Sequence, residues 1–443
     1  MTTETLPAVR LNKVVVLGAN GAMGAGSAAL FASAGCAVTL VARDRSKAEA
    51  ARTQIQGIAK SERVADPIEC ATYEDGLEGL LAGADLIFEC LAEDLALKKQ
   101  LFAQVDAVRP ADSLVATVSS GLSIREMADG LSQSFQAHFA GLHLYNPPHV
   151  MTGVEVIPHP SMNPVVVAEL ESMLANRFGR AVVTTADSPA FAGNRIGFKV
   201  LNEVAQLAET HGVQMIDTLV GPYTGRAMAP LATIDLVGWD VHQAIVDNVA
   251  ANTTDEAIAS FTMPAYMREL AAAGHLGDKT PERGGFYRKV IVDGKARAEV
   301  LDPATRTYVE RGPDPVVPFV EEVRALNRSG RYQQAIDKFM DAESAEADIA
   351  RRVILGYISY AFNRVGAGEV VATYADADRI MSAGFNWAPP SALVDLIGLQ
   401  RTVDMLARYD LPSAPLIDAA FRGEVPSPLF NLPHVTPGRY LAG

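Results

Sequence analysis

Up to about residue 187 the chain alternates short, almost wholly apolar runs with stretches of helical periodicity; beyond it, long amphipathic patterns take over. Seven runs read as strands: Lys13 to Leu17, Ala37 to Val41, Ala84 to Cys90, Ser113 to Val118, Leu142 to Tyr145, Val154 to Ile157 and Ala181 to Thr185. Near-continuous apolar runs with helical stretches between them are what strands buried on both faces of a parallel sheet look like. The first run is followed at once by Gly18-Ala19-Asn20-Gly21-Ala22-Met23-Gly24-Ala25-Gly26, then by an alanine-rich helical segment. A strand, a glycine turn and a helix in that order let backbone N–H groups approach a pyrophosphate at a helix N-terminus, where the dipole favours negative charge. The second run falls at the βαβ distance from the first and supports the same reading.

These patterns predict a Rossmann-type, doubly wound α/β domain followed by an all-α region. The boundary falls at the Asp187-Ser188-Pro189 turn, where proline stiffens the link. The helical part repeats itself. Pro230-Leu231-Ala232-Thr233-Ile234-Asp235-Leu236-Val237-Gly238 is echoed by Pro390-Ser391-Ala392-Leu393-Val394-Asp395-Leu396-Ile397-Gly398, Asp217 by Asp378, and Asn202-Glu203-Val204 by Asn363-Arg364-Val365. Two related helical units are expected, giving a division into 1–187, 188–310 and 311–443. Asp293-Gly294 predicts a hairpin turn, Gly312 to Pro318 a proline-rich linker, and the proline-rich tail from Phe421 to Gly443 a segment that wraps the surface or a partner.

Composition narrows the function classes. At 443 residues, with 49% hydrophobic and 20% charged residues, the chain is long enough for two or three globular domains. A formal charge of −14 argues against nucleic acid or an anionic membrane as partner. Cys36, Cys70 and Cys90 have neither an even count nor CxxC spacing, so a disulfide framework or zinc site is not expected and a reducing cytoplasm fits. The leader MTTETLPAVRLNK lacks the apolar core of a signal peptide, and no run reaches the roughly 18 apolar residues of a spanning helix.

Chemistry concentrates between Gly141 and Ile157. His143 and Glu155 sit in two successive strands, and Asn146-Pro147-Pro148 must break the first, because prolines cannot donate to a ladder. The two ionisable groups can thus fold back toward each other, although an isolated pair of this kind is most often structural. Ser119 and Ser120 follow a strand end, where ligands of doubly wound sheets bind; the competing reading is a helix N-cap. The glycines are spaced GxxGxxG, one residue longer than the usual dinucleotide fingerprint, with Asn20 as the extra member. At the end of the second strand Ala42 replaces the acidic residue that ordinarily binds the adenosine ribose, with Arg43 beside it. That pairing admits NADP as well as NAD; alternatively Arg43, Arg45 and Lys47 form a solvated loop.

Taken together, these residues resemble the 3-hydroxyacyl-CoA dehydrogenase family over nearly the whole chain. Glu89-Cys90-Leu91-Ala92-Glu93 with Lys98 is similar to its EAxxE segment, and Ser119-Ser120-Gly121-Leu122-Ser123-Ile124 to its TSGLSI loop. His143 and Glu155, twelve residues apart, match its HFFNP…LVEVI signature. Asp187-Ser188-Pro189 through Asn194-Arg195 resembles DSPGFIxNR, and Gly277-Asp278-Lys279-Thr280 with Gly284-Gly285-Phe286-Tyr287 resembles LGRKTGxGFY. The doubled helical unit resembles that of the long members, and their fused enoyl-CoA hydratase domain is not expected.

The resemblance implies hydride transfer between a nicotinamide cofactor and a 3-hydroxyacyl-CoA/3-ketoacyl-CoA pair, as in fatty-acid β-oxidation. It implies His143 as base, Glu155 as its orienter, and Ser120 and Asn194 on the substrate oxygen. Gly18, Asn20, Gly21, Ala22, Met23, Gly24, Arg43, Glu93 and Lys98 are implied at the cofactor, with NAD the family expectation. Val118 stands where the family has an asparagine, and Leu355 stands in the second copy where the first has Asn194, which suggests a single site. A monomer or a homodimer is compatible, the second copy standing in for a partner's helices in the monomer. Two other functions compete: a 3-hydroxyacid dehydrogenase with a catalytic lysine acting on a free acid, and a catalytically silent nucleotide-binding scaffold.

Overall fold

A computed structural model describes residues 9–432 and 438–441. The first eight residues of the leader and part of the tail, 433–437 and 442–443, lie outside the described residues. By contact the chain divides into two compact units, Met1–Phe191 with Val370–Ala372, and Ala192–Glu369 with Thr373–Gly443.

The first unit is built on an eight-stranded sheet: β1 (Lys13–Leu17), β2 (Ala37–Ala42), β3 (Glu69–Thr72), β4 (Leu86–Glu89), β5 (Leu114–Thr117), β6 (Phe139–Leu144), β7 (Gly153–Pro158) and β8 (Ala181–Thr184). Their order is β3-β2-β1-β4-β5-β6-β7-β8. All neighbours are parallel except β6 and β7, which pair antiparallel, so the last two strands run against the rest. The order reverses between β1 and β4, and ligands of open α/β sheets bind at the strands' carboxyl ends beside such a reversal. Period-two alternation splits β1 between two cores: Val14 and Val16 face one, Val15 and Leu17 the other. The first core contains Phe31 edge-on to Phe88 at 5.2 Å, and the second Phe102 edge-on to Phe139 at 5.0 Å. At the β8 end, Thr185 bridges Val371 and Ala186 donates to the Val370 carbonyl, which makes residues 370–372 part of this unit.

In the second unit the sequence repeat corresponds to repeated hydrogen bonding. Asp217 accepts from the Leu231 N–H at 2.8 Å, at the start of the helix Pro230–Val237; Asp378 accepts from the Ser391 N–H at 3.0 Å, at the start of Pro390–Ile397. Proline at N1 leaves the next N–H as an orphan donor, and each aspartate satisfies it from outside the helix. Asp235 accepts from the backbone of Phe286 and Tyr287 at 2.9 and 2.8 Å, and Asp395 accepts from Leu429 and Phe430 at 2.9 and 2.8 Å. The described start of the tail is thus docked on the second copy as Phe286-Tyr287 is on the first.

The two long helices that follow the repeat, Gly193–His211 and Ala345–Asn363, are out of step. Asn202 lies mid-helix and Asn363 ends its helix, because the second helix starts early at Ser344, whose hydroxyl accepts from Ala347 N–H with Glu346 and Asp348 in the first turn. Between the copies Tyr287–Val292, Lys295–Asp302 and Thr307–Glu310 form an antiparallel sheet; the third strand was not expected from the sequence. Its first hairpin turns at Asp293 (φ 50°) and Gly294 (φ 74°), the left-handed pair that a two-residue turn requires. No helix among the described residues is long and apolar enough to cross a membrane.

Candidate active site

Antiparallel pairing sets His143 of β6 directly opposite Glu155 of β7. Both are buried, at 4% and 0% exposure, and Nδ1 of His143 lies 2.6 Å from a Glu155 carboxylate oxygen, Oε2. A buried carboxylate needs donors. The same oxygen accepts from the Tyr145 hydroxyl at 2.7 Å, and the Tyr145 ring packs against His143 at 4.7 Å. Burial, followed by the Glu155 charge, pushes the Tyr145 phenol well above its ordinary value, so it remains a donor. Phe191, at 5.7 Å, adds a second ring beside the imidazole. Tyr145 was not singled out from the sequence; the available signal was its two-residue spacing from His143, which keeps it on the same face as the chain leaves β6.

The serine loop after β5 is held from outside itself. Glu93 accepts from the Ser119 hydroxyl at 2.6 Å and from the Ser120 N–H at 2.8 Å. The N-cap of the following short helix is Ser123, not Ser119 or Ser120, and Ser123 also donates to Asp187 at 2.9 Å. Beneath the loop Lys98, fully buried, is 2.8 Å from Glu89 and 3.6 Å from Glu93. Thr117 also donates to Glu89, so the buried ion pair is satisfied on both sides.

Beside the β1–β4 reversal lies a cavity of about 540 Å³ lined by Gly18, Asn20, Gly21, Arg43, Tyr73, Cys90, Leu91, Ala92, Leu97, Gln100, Leu101 and Gln104. The three glycines of the turn do different work. A Cβ on Gly18 (φ 80°) would sit 2.9 Å from the Cys90 carbonyl, and one on Gly24 would sit 2.7 Å from the Gly18 carbonyl, so these two permit close strand–helix packing. Gly21 has nothing within 4 Å and is the N-cap of the helix Ala22–Ser33, leaving an open approach to the helix N-terminus. Those features fit a dinucleotide pyrophosphate. Burial pushes the Tyr73 phenol up to about 12, and its hydroxyl has no partner in hydrogen-bonding geometry among the described residues.

Residues 13–188 match the family described as 3-hydroxyacyl-CoA dehydrogenase, NAD binding domain, and residues 191–289 its C-terminal domain. The chain is 32% identical over 303 residues to a probable 3-hydroxyacyl-CoA dehydrogenase of Deinococcus radiodurans, covering 86% of that protein and 65% of this one. It belongs to the 3-hydroxyacyl-CoA dehydrogenase family. A further relative, a probable 3-hydroxyacyl-CoA dehydrogenase of Bacillus subtilis, is 31% identical over 437 residues, or 91% of this chain. The chain spans about half of that relative's length, 53%. The solved structure of a 3-hydroxybutyryl-CoA dehydrogenase from Escherichia coli covers 94% of this chain and 99% of its own at a TM-score of 0.68 and 23% identity, a likeness of fold.

Within this family member the sequence-derived residues divide by location. Gly18, Asn20, Gly21 and Arg43 line the cavity, whereas Ala22, Met23, Gly24, Glu93 and Lys98 are not among its lining residues. Lys98 in particular is enclosed at 0% exposure beneath the serine loop. Arg45 donates to the Cys70 carbonyl at 2.8 Å and to Asp75 at 3.2 Å, and Lys47 pairs with Asp44 at 2.7 Å, so only Arg43 of the three basic residues faces the cavity. Asn194 is buried in the first turn of the helix Gly193–His211 in the second unit. Tyr73, Gln100 and Gln104 were missed. The two glutamines are one helical turn apart on Leu95–Val108, a spacing equally common on any exposed helix face.

Proposed function

We propose that the protein is a nicotinamide-dependent 3-hydroxyacyl-CoA dehydrogenase that interconverts 3-hydroxyacyl-CoA and 3-ketoacyl-CoA, a step of fatty-acid β-oxidation. One observation carries the reading: a buried histidine whose Nδ1 is 2.6 Å from a buried carboxylate. In that arrangement Glu155 accepts the Nδ1 proton, fixes the tautomer and assigns proton transfer to Nε2. His143 takes the proton of the substrate's 3-hydroxyl through Nε2 in oxidation and returns it in reduction. Glu155 stabilises the imidazolium that results, and Tyr145 keeps the carboxylate hydrogen-bonded throughout.

When bound, the nicotinamide accepts the two electrons and the hydrogen leaving C3 of the substrate. Gly18, Asn20 and Gly21 bind the dinucleotide from the cavity wall, while Ala22, Met23 and Gly24 orient the helix behind them. Glu93, braced by Lys98, holds the serine loop so that Ser120 meets the substrate oxygen, with Asn194 as a second donor. NAD is the family's cofactor, and Arg43 raises NADP as the finer alternative. We further propose the three-part division 1–187, 188–310 and 311–443, an acyl-CoA partner and a cytoplasmic setting.

The test follows NADH and NADPH consumption with acetoacetyl-CoA and longer 3-ketoacyl-CoA substrates. Turnover is expected, and His143→Ala should lower it by about 100-fold or more with the fold retained by circular dichroism. Nucleotide binding without turnover on any substrate would overturn the enzyme reading, and unchanged turnover in the variant would remove His143 as the base.

A further inference from the structure

The carboxyl ends of β2 and β3 lie side by side, with Ala42 opposite Thr72 in the parallel register. The next residue on each strand, Arg43 and Tyr73, therefore leaves the sheet at the same edge, and both line the 540 Å³ cavity that begins at the Gly18 turn. At the end of β2 a dinucleotide fold ordinarily presents a carboxylate to the adenosine ribose diol. Here that position is Ala42, fully buried, and offers no acceptor. Two of the acids nearby in sequence are engaged: Asp44 pairs with Lys47 at 2.7 Å, and Asp75 accepts from the Thr72 N–H at 2.8 Å and from Arg45.

Neither donor has an acceptor among the described residues. Arg43 is exposed to the cavity and forms no ion pair or hydrogen bond among the described residues. The Tyr73 hydroxyl is buried, with the Gly18 N–H approaching its oxygen but no acceptor in hydrogen-bonding geometry for its proton, a state that costs free energy until an acceptor arrives. Arg43 and Tyr73 line one cavity wall at the ends of adjacent strands, so the two side chains address one locus. A planar, permanently charged donor beside a neutral phenol donor suits a phosphate monoester.

We infer that Arg43 and Tyr73 form a seat for the 2′-phosphate of a phosphorylated adenosine, so that the chain prefers NADP(H) to NAD(H). The inference rests on the dehydrogenase reading for its cofactor class, and it departs from the family's usual NAD. Arg43 supplies charge to the phosphate; Tyr73 supplies a hydrogen bond, and its own burial keeps the proton on.

Calorimetric titration of the full chain with adenosine 2′,5′-bisphosphate and with AMP isolates the 2′-phosphate, since neither probe carries nicotinamide and no turnover is needed. The bisphosphate should bind about tenfold or more tightly, the worth of a charge-assisted hydrogen bond, and the preference should shrink as salt rises. Arg43→Ala should abolish the preference by lowering affinity for the bisphosphate far more than for AMP, and Tyr73→Phe should reduce it a few-fold. Equal affinity of the wild-type chain for both nucleotides overturns the seat, whatever the variants do. Equal affinity together with NADH-driven turnover would do so while leaving the dehydrogenase standing; loss of nucleotide binding and of turnover together would remove both. A preference that survives in Arg43→Ala would also overturn the assignment.

Discussion

Tyr145 shares one Glu155 oxygen with His143, at 2.7 Å against 2.6 Å, and its hydroxyl draws negative charge away from the imidazole. Removing it leaves that buried carboxylate one donor short. Tyr145→Phe is therefore expected to lower kcat/KM by about five- to tenfold, with substrate KM little changed. An unchanged kcat/KM would reduce Tyr145 to packing. Ala190 offers a stability test of the same locality. It sits at φ 62° and Phe191 at φ 51°, just ahead of the helix that bears Asn194. A left-handed non-glycine residue costs roughly 1–2 kcal/mol, whereas glycine's extra unfolded-state freedom costs roughly 0.5–1 kcal/mol. Relief outweighs entropy, so Ala190→Gly should raise the melting temperature by a degree or more; a fall would show that the alanine methyl packs better than the angle suggests.

At the level of elements, the strands that could be read from the sequence are those whose burial makes them almost wholly apolar. The exception, β3, is Glu69-Cys70-Ala71-Thr72, short and only partly buried next to a loop. Missing β3 hid Tyr73, whose importance comes only from standing at that strand's end beside Arg43. The His143–Glu155 contact could be anticipated because two prolines between two strands leave little choice but a reversal, and antiparallel strands set residues opposite one another. The status of Lys98 could not be anticipated, because burial beneath a loop is a tertiary outcome with no local pattern. The same holds for Asp255, which accepts from Arg195 at 2.7 Å, Tyr360 at 2.7 Å and Arg364 at 3.4 Å and so ties the helix Gly193–His211 to Ala345–Asn363. These partners hold its carboxyl below the usual range despite burial. Asp255→Asn leaves two buried arginines short of charge and should cost about 3–5 kcal/mol in urea unfolding, since a broken buried pair costs more than an absent one. A loss under about 1 kcal/mol would mean Glu256, 2.7 Å from Arg364, takes over the role.

Across the whole molecule the formal charge of −14 counts every carboxyl as ionised, yet three anchors of the helical repeat resist ionisation. Burial, the largest cause in each, pushes Asp217 up to about 6 and Asp235 and Asp378 up to about 7. An unfolded aspartate releases its proton near pH 4. Between there and the folded value the native chain holds protons that the unfolded chain has lost, so folding is favoured at the acidic end of that window. The stability these groups confer is lost as pH rises through about 6 to 7. Each proton contributes a slope of at most about 1.4 kcal/mol per pH unit. Asp378, 1% exposed and bonded to the Ser391 N–H and hydroxyl, is the cleanest position to test, because asparagine keeps its shape and cannot titrate. Melting temperatures of the wild-type chain should fall more between pH 5 and pH 7.5 than those of Asp378→Asn, the variant tracking the wild type at the acidic end and pulling ahead of it as pH rises. Parallel curves would mean that Asp378 is ionised across the range, held so by its Ser391 donors, and that the pH dependence of stability has its source elsewhere.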